Sequence, residues 1–212
     1  ENTRLFMNRI FIEAKNNKTS EFHFLKAILN RFFPDKEVGF IFMDGIDNLF
    51  NEAIRNQMAL ARESGEQGLV FADADTEAKG WGCQKRKAAI EKGSSDHDVS
   101  FPYFLYPDNQ SDGDVETLME CAARRDLHRV FFDCFEDYEK CVSGVTDDKG
   151  EALYSVPNLK GKLHTYINSQ RLSNTQRKRL GHGDWLFEEN MYWNLDIDAL
   201  QPMKKFLEDN LG

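Results

Sequence analysis

Residues 68–76 read GLVFADADT, and the parsing of this stretch decides the fold. Four apolar residues, Leu69 to Ala72, run into two aspartates, Asp73 and Asp75, separated by one alanine. A short unbroken apolar run closed by charge suits a strand covered on both faces, the kind found in parallel sheets. A carboxylate pair at the end of such a strand is costly to bury unless it has something to bind.

The flanking sequence repeats the theme. NRIFIEA (8–14) reads as a buried strand, and TSEFHFLKAILNRFF (19–33) places Phe22, Leu25, Ile28, Leu29 and Phe32 on one helical face, with Thr19 as N-cap and Glu21 in the first turn. EVGFIFMDG (37–45) gives a second strand ending in a glycine turn, and DNLFNEAIRNQMALARESG (47–65) a helix stopped at Gly65. The stretch at 68–73 is then the third strand. A fourth, VSFPYFLYP (99–107), follows a helical or loop segment that holds GWG (80–82) and the polar run KGSSDHD (92–98). The segment 112–142, beginning DGDVETLMEC, reads as one or two helices. Strand–helix alternation with short connections predicts an α/β, Rossmann-like fold, a mostly parallel central sheet flanked by helices, with the ligand crevice at the carboxyl ends of the strands.

Past residue 142 the periodicity weakens: 143–158 reads as a loop, LKGKLHTYINSQ (159–170) as a helix, and DIDALQPMKKFLEDNLG (196–212) as a closing helix with Pro202 near its start. The expected organisation is one domain over 1–212, with a core at 1–142 and a loop and helical carboxyl-terminal extension at 143–212. A chain of 212 residues can bury a real core. Its 36 acidic against 27 basic residues, a net charge of −9, argue against a protein that coats DNA generally, because phosphate binding relies on Lys and Arg releasing counterions. A local basic groove stays open, with concentrations at Lys79–Lys87 and Arg171–Arg179.

No apolar run approaches the ~18 residues that span a bilayer, and ENTRLFMNRIFIEAKNN (1–17) lacks the features of a secretory signal. A soluble, cytoplasmic protein without a membrane partner is expected. The four cysteines form no CxxC pair and are read as reduced thiols, and the five histidines show no paired metal spacing.

The acids are the chemically informative residues. Strand residues two apart share a side, so Asp73 and Asp75, if both are extended, present carboxylates about 7 Å apart at Cα. Glu13 closes the first strand, and neighbouring parallel strands lie about 5 Å apart, close enough for acids at one edge to share a hard cation. Glu116 arrives from the first turn of the helix after PDNQSDGD (107–114), where complementing the helix dipole is the simpler role. Lys160, Lys162, Lys85, Arg86, Lys87 and the 171–179 run are the basic candidates for holding a polyanion, and Trp81 is placed either to stack on a base or to plug the sheet edge.

The order of these motifs resembles the Toprim catalytic domain, shared by topoisomerases, bacterial primases, small RNA-maturation nucleases and the overcoming-lysogenization-defect nucleases. The nearer resemblance is to small stand-alone Toprim-related bacterial proteins without assigned function, carried by IEA (12–14), MDGIDNLF (43–50), PDNQSDGDVETLM (107–119) and YWNLDIDALQPMKKFL (192–207). It runs from about Arg9 to Leu207. Ala14 and Asp44 stand where glycines are usual in that family. The resemblance implies a Mg²⁺ (or Mn²⁺) site with Glu13 as general acid or base and ligand, Asp73 and Asp75 as metal ligands and Glu116 as a further metal contact; of the basic candidates, Lys162 is taken as the catalytic lysine. It implies phosphodiester chemistry on nucleic acid, DNA or RNA, cleavage rather than synthesis; a protein partner or homo-oligomer stays open.

Two rival readings share the acids. LVFADADT (69–76) also fits the DxDxT signature of haloacid-dehalogenase-type phosphatases, with Asp73 as nucleophile, although that motif closes the first strand of its domain and two strand–helix units precede it here. A non-catalytic module that binds nucleotide or nucleic acid is the other. A glycosyltransferase that holds a sugar nucleotide through the DxD ranks below both.

Overall fold

The computed structural model describes residues 8–211. The sequence-based reading of the amino end therefore falls partly outside the described residues. Four strands, β1 (Asn8–Ile12), β2 (Val38–Phe42), β3 (Gly68–Asp73) and β4 (Tyr103–Tyr106), form one sheet in the order β2-β1-β3-β4. Every pairing is parallel. Ile10, Phe11 and Ile12 of β1 and Leu69, Val70, Phe71 and Ala72 of β3 are fully buried, as the unbroken apolar runs of central parallel strands require. β2, at an edge, is half-buried throughout.

Helices cover both faces. Alternate residues of the central strands belong to two separate apolar clusters, Ile10, Ile12, Leu69 and Phe71 to one and Phe11, Val70 and Ala72 to the other. The first cluster gathers α1 (Ser20–Phe32), α4 (Val115–Ala122), α6 (Leu159–Asn168) and α8 (Gln201–Asn210). The second gathers α2 (Glu52–Glu63) and α3 (Cys83–His97). The chain is thus an α/β protein with an all-parallel sheet and a carboxyl-terminal helix, in agreement with its Rossmann-like reading. α5 (Arg129–Ser143) and α7 (Asn174–Leu180) complete the helices. No helix among the described residues is long and apolar enough to cross a membrane.

One boundary differs from expectation for a local reason. The helix expected from residue 47 begins at Glu52, because Asn51 caps it by accepting from the Ile54 amide at 2.8 Å, while Asn48 donates to the carbonyls of Met43 and Asp44. α3 continues through the polar run around Gly93. A Cβ there would lie 2.3 Å from the Phe50 ring, so glycine lets Phe50, in the turn just before α2, pack onto α3.

The carboxyl-terminal segment hides an apolar layer that periodicity does not reveal. Trp185, Leu186, Phe187, Tyr192, Trp193 and Leu195 are all buried although they lie outside any helix or strand. Their backbone is satisfied in part by α4: the Asn194 amide donates to Ala122 and the Arg124 amide to Tyr192, while the Trp193 indole donates to the Trp185 carbonyl at 2.7 Å. Just before this layer, Gly183 adopts φ 77° against the chain leading into α1. A Cβ there would meet the Lys18 carbonyl oxygen at 2.6 Å and the Thr19 carbonyl carbon at 2.9 Å. Gly183→Ala is expected to destabilise the fold by about 2–4 kcal/mol, from left-handed strain added to a backbone clash. Urea denaturation checks this, and an unchanged midpoint would show that the turn yields freely.

Candidate functional site

Connections leave β1 and β3 in opposite directions, β1 toward β2 and β3 toward β4, so the carboxyl ends of these two neighbours flank the switch point at which open α/β sheets bind ligands. Ile12 lies opposite Phe71, so Glu13 leaves β1 level with Ala72 and one residue short of Asp73, and both acids emerge at that edge. Glu13 accepts from the Asp73 amide at 3.2 Å, and the Ile46 amide also favours its charged form. Asp73 in turn accepts from the Val115 amide, at the first turn of α4, at 2.9 Å. The dipole of that helix faces the carboxylate.

Two further acids converge with them. Glu116 is buried in the first turn of α4 and Glu21 in the first turn of α1. Burial pushes the Asp73 carboxyl well above the ordinary aspartate range, the charges of Glu13 and Glu116 push it the same way, and the Val115 amide opposes them. Burial likewise raises Glu21 well above the usual glutamate value, reinforced by Asp73, Glu13 and Glu116. Glu13 is raised by burial too, with the two amides and the Arg86 charge working against it. The phenol of Tyr106, fully buried in β4, is raised by burial and by Glu21, Asp73 and Glu116. Its hydroxyl and one Glu21 oxygen, Oε1, are buried with no hydrogen-bond partner among the described residues.

Sequence reasoning assigned Glu21 only to the helix terminus. A signal was present: Glu21 stands at the spacing of Phe24, Leu25 and Ile28, so it lies on the buried stripe of α1. An acid on an apolar stripe needs a reason beyond the helix dipole.

Asp75 departs from the extended arrangement expected for it. β3 ends at Asp73, and Asp75 adopts φ 59°, forming an isolated antiparallel bridge with Gly113. In an extended strand it would share the side of Asp73 and Phe71. The left-handed turn instead directs it to α3, where Arg86 donates to Oδ2 at 2.6 Å, while Lys79 donates to Oδ1 at 3.0 Å. Arg86 is 3% exposed and its guanidinium carbon stands 3.9 Å from the centre of the Trp81 ring. Trp81 is thus a platform for a cation of its own chain. Like Glu21, Arg86 occupies a buried stripe, with Cys83 and Ile90.

The lysines divide between two acids of α4. Lys160 pairs with Glu116 at 2.7 Å, and Lys162, the lysine singled out in the sequence, pairs with Glu120 at 2.9 Å. Of the loop acids, Asp112 accepts from the Cys83 amide, Asp114 caps α4, and Asp108 accepts from Gln110 and Ser111. Asp44 adopts φ 55° where a glycine would be unstrained, and Ala14 is free of that strain.

Among the described residues no group of three or more His, Cys, Asp or Glu side chains is arranged to hold a metal ion. The donor chemistry still fits a hard cation: the ligands are oxygens, Glu21 leaves one oxygen unpaired, and four acids repel one another at one edge. The carboxylates would have to close around an ion. Comparison with family models, with curated proteins and with solved structures returns no match.

Proposed function

We propose that the chain binds Mg²⁺ or Mn²⁺ on Glu13, Glu21, Asp73 and Glu116 and uses this edge to cleave phosphodiester bonds of nucleic acid, as its resemblance to the Toprim domain implies. The observation that carries the reading is the convergence of four carboxylates at the switch point, three of them raised by burial, with Glu21 Oε1 unpaired. Without a cation such an edge would repel a phosphodiester.

A bound divalent cation neutralises charge on a phosphate oxygen and on the oxygen being displaced. The protein's own residues do the rest. Glu13, raised by burial above the ordinary glutamate range, serves as general acid or base and is held by the Asp73 amide. Lys160, at Glu116, and Lys79, at Asp75 and Asp114, place exposed positive charge beside the acids to receive the phosphate backbone. Lys162, largely buried and held by Glu120, supports the α4–α6 contact that fixes Glu116. The phosphatase reading asks Asp75 to serve as a free general acid, and both of its oxygens are engaged by cations.

The test is incubation of the purified protein with supercoiled plasmid, single-stranded DNA and a structured RNA in the presence of Mg²⁺ or Mn²⁺. Metal-dependent cleavage of at least one, absent with EDTA and lost in Asp73→Asn, is the expected result, and the substrate that is cut decides between DNA and RNA. Metal binding without cleavage of any of them would move the function to a binding module or to an enzyme that needs a protein partner.

A further inference from the structure

The acidic edge is divided by the turn at Asp75. Asp73, Glu21, Glu116 and Tyr106 stand on the α1 and α4 side, while Asp75 faces α3. On the α3 side a positive charge is already built in. Arg86 is buried on its own helix, packed over Trp81 and bonded to Asp75, and its charge also reaches Glu13. The guanidinium is a built-in charge held by the Asp75 carboxylate and the Trp81 face, with its Nε buried and without a hydrogen-bond partner among the described residues. A divalent ion on Asp75 would have to displace Arg86 and Lys79 or sit against two like charges.

We infer that Arg86 takes the place of a second metal ion, so that the edge binds one divalent cation on the α1 and α4 side and Asp75 anchors Arg86 instead of acting as a ligand. The inference rests on the cation-binding reading above. It makes Arg86 a positioning residue: it neutralises Asp75 and lies close enough to Glu13 to oppose the effect of burial on that carboxyl.

Mn²⁺ titration followed by electron paramagnetic resonance and calorimetry tests this without any assay of turnover. Wild type is expected to bind one Mn²⁺ per chain. Asp73→Asn should weaken binding by about tenfold or more, whereas Asp75→Asn, which keeps an acceptor for Arg86, should stay within about threefold of wild type. Arg86→Gln combined with Lys79→Ala, which removes both cations from Asp75, is expected to admit a second, weaker Mn²⁺ there, and Arg86→Lys to keep the count at one. Circular dichroism confirms that each variant is folded; if the double variant does not fold, the wild-type count and the two aspartate variants decide. Two ions in wild type, or equal losses in Asp73→Asn and Asp75→Asn, overturn the inference and leave the cation site standing. No Mn²⁺ binding by wild type overturns the cation site and the inference with it.

Discussion

Glu13→Gln is expected to lower metal-dependent cleavage by about 10²–10⁴-fold, the usual contribution of a general acid or base. The amide keeps the size of the side chain and still offers an oxygen to the Asp73 amide, so the sheet edge should keep its shape. What is lost is the ability to carry a proton. Burial raises this carboxyl above the ordinary glutamate range, while the amides and the Arg86 charge restrain the rise. Single-turnover cleavage across a pH series measures the effect. Wild type should show an acidic limb belonging to Glu13 and Glu13→Gln should be flat there. A variant that cuts at the wild-type rate would remove Glu13 from the proton transfer, whatever its place in metal binding.

The second large effect is on stability. Glu13, Glu21 and Asp73 have folded pKa values above those of the unfolded chain. The folded protein therefore holds protons that the unfolded chain releases above about pH 4, and by linkage their contribution is present at low pH and lost as pH rises through the folded values. Metal-free protein should melt at a higher temperature near pH 5 than near pH 8 so far as these three groups govern it. A cation reverses the loss at the alkaline end, because it prefers the ionised carboxylates. At a concentration about 100 times its Kd the ion should add about 2.7 kcal/mol at pH 8, or about 5–10 °C in melting temperature for a chain of this size. The gain should shrink toward pH 5 as protons compete, and vanish in Asp73→Asn. A metal-induced shift that ignores pH would place the ion elsewhere than on these acids.

The sheet was legible because Ile10–Ile12 and Leu69–Ala72 are unbroken apolar runs, a pattern that parallel strands between two helical layers require. Glu13 and Asp73 were legible for the same reason, since they end those runs. The direction of Asp75 was not: it depends on one backbone dihedral, and aspartate is tolerated on either side of that choice. The aromatic layer from Trp185 to Trp193 stayed hidden because its burial follows contacts with α4 and α6 and no local period. Arg86 and Glu21 were overlooked because a charged residue in a helix is ordinarily solvated, and only their alignment with apolar neighbours marks them as interior.

The two apolar clusters are unequal. The one beneath α1, α4, α6 and α8 is by far the larger, and the one beneath α2 and α3 is built from few side chains. Native-state openings follow such differences in local contact, with the sparsely packed layer loosening first. Asp73, Glu21 and Glu116 thus stand on the stiff layer, while the Arg86 clamp rides on the yielding one. Thermal breathing of the molecule would then rock the guanidinium relative to steadier carboxylates, and hydrogen exchange should be faster in α3 than in α1 and α4.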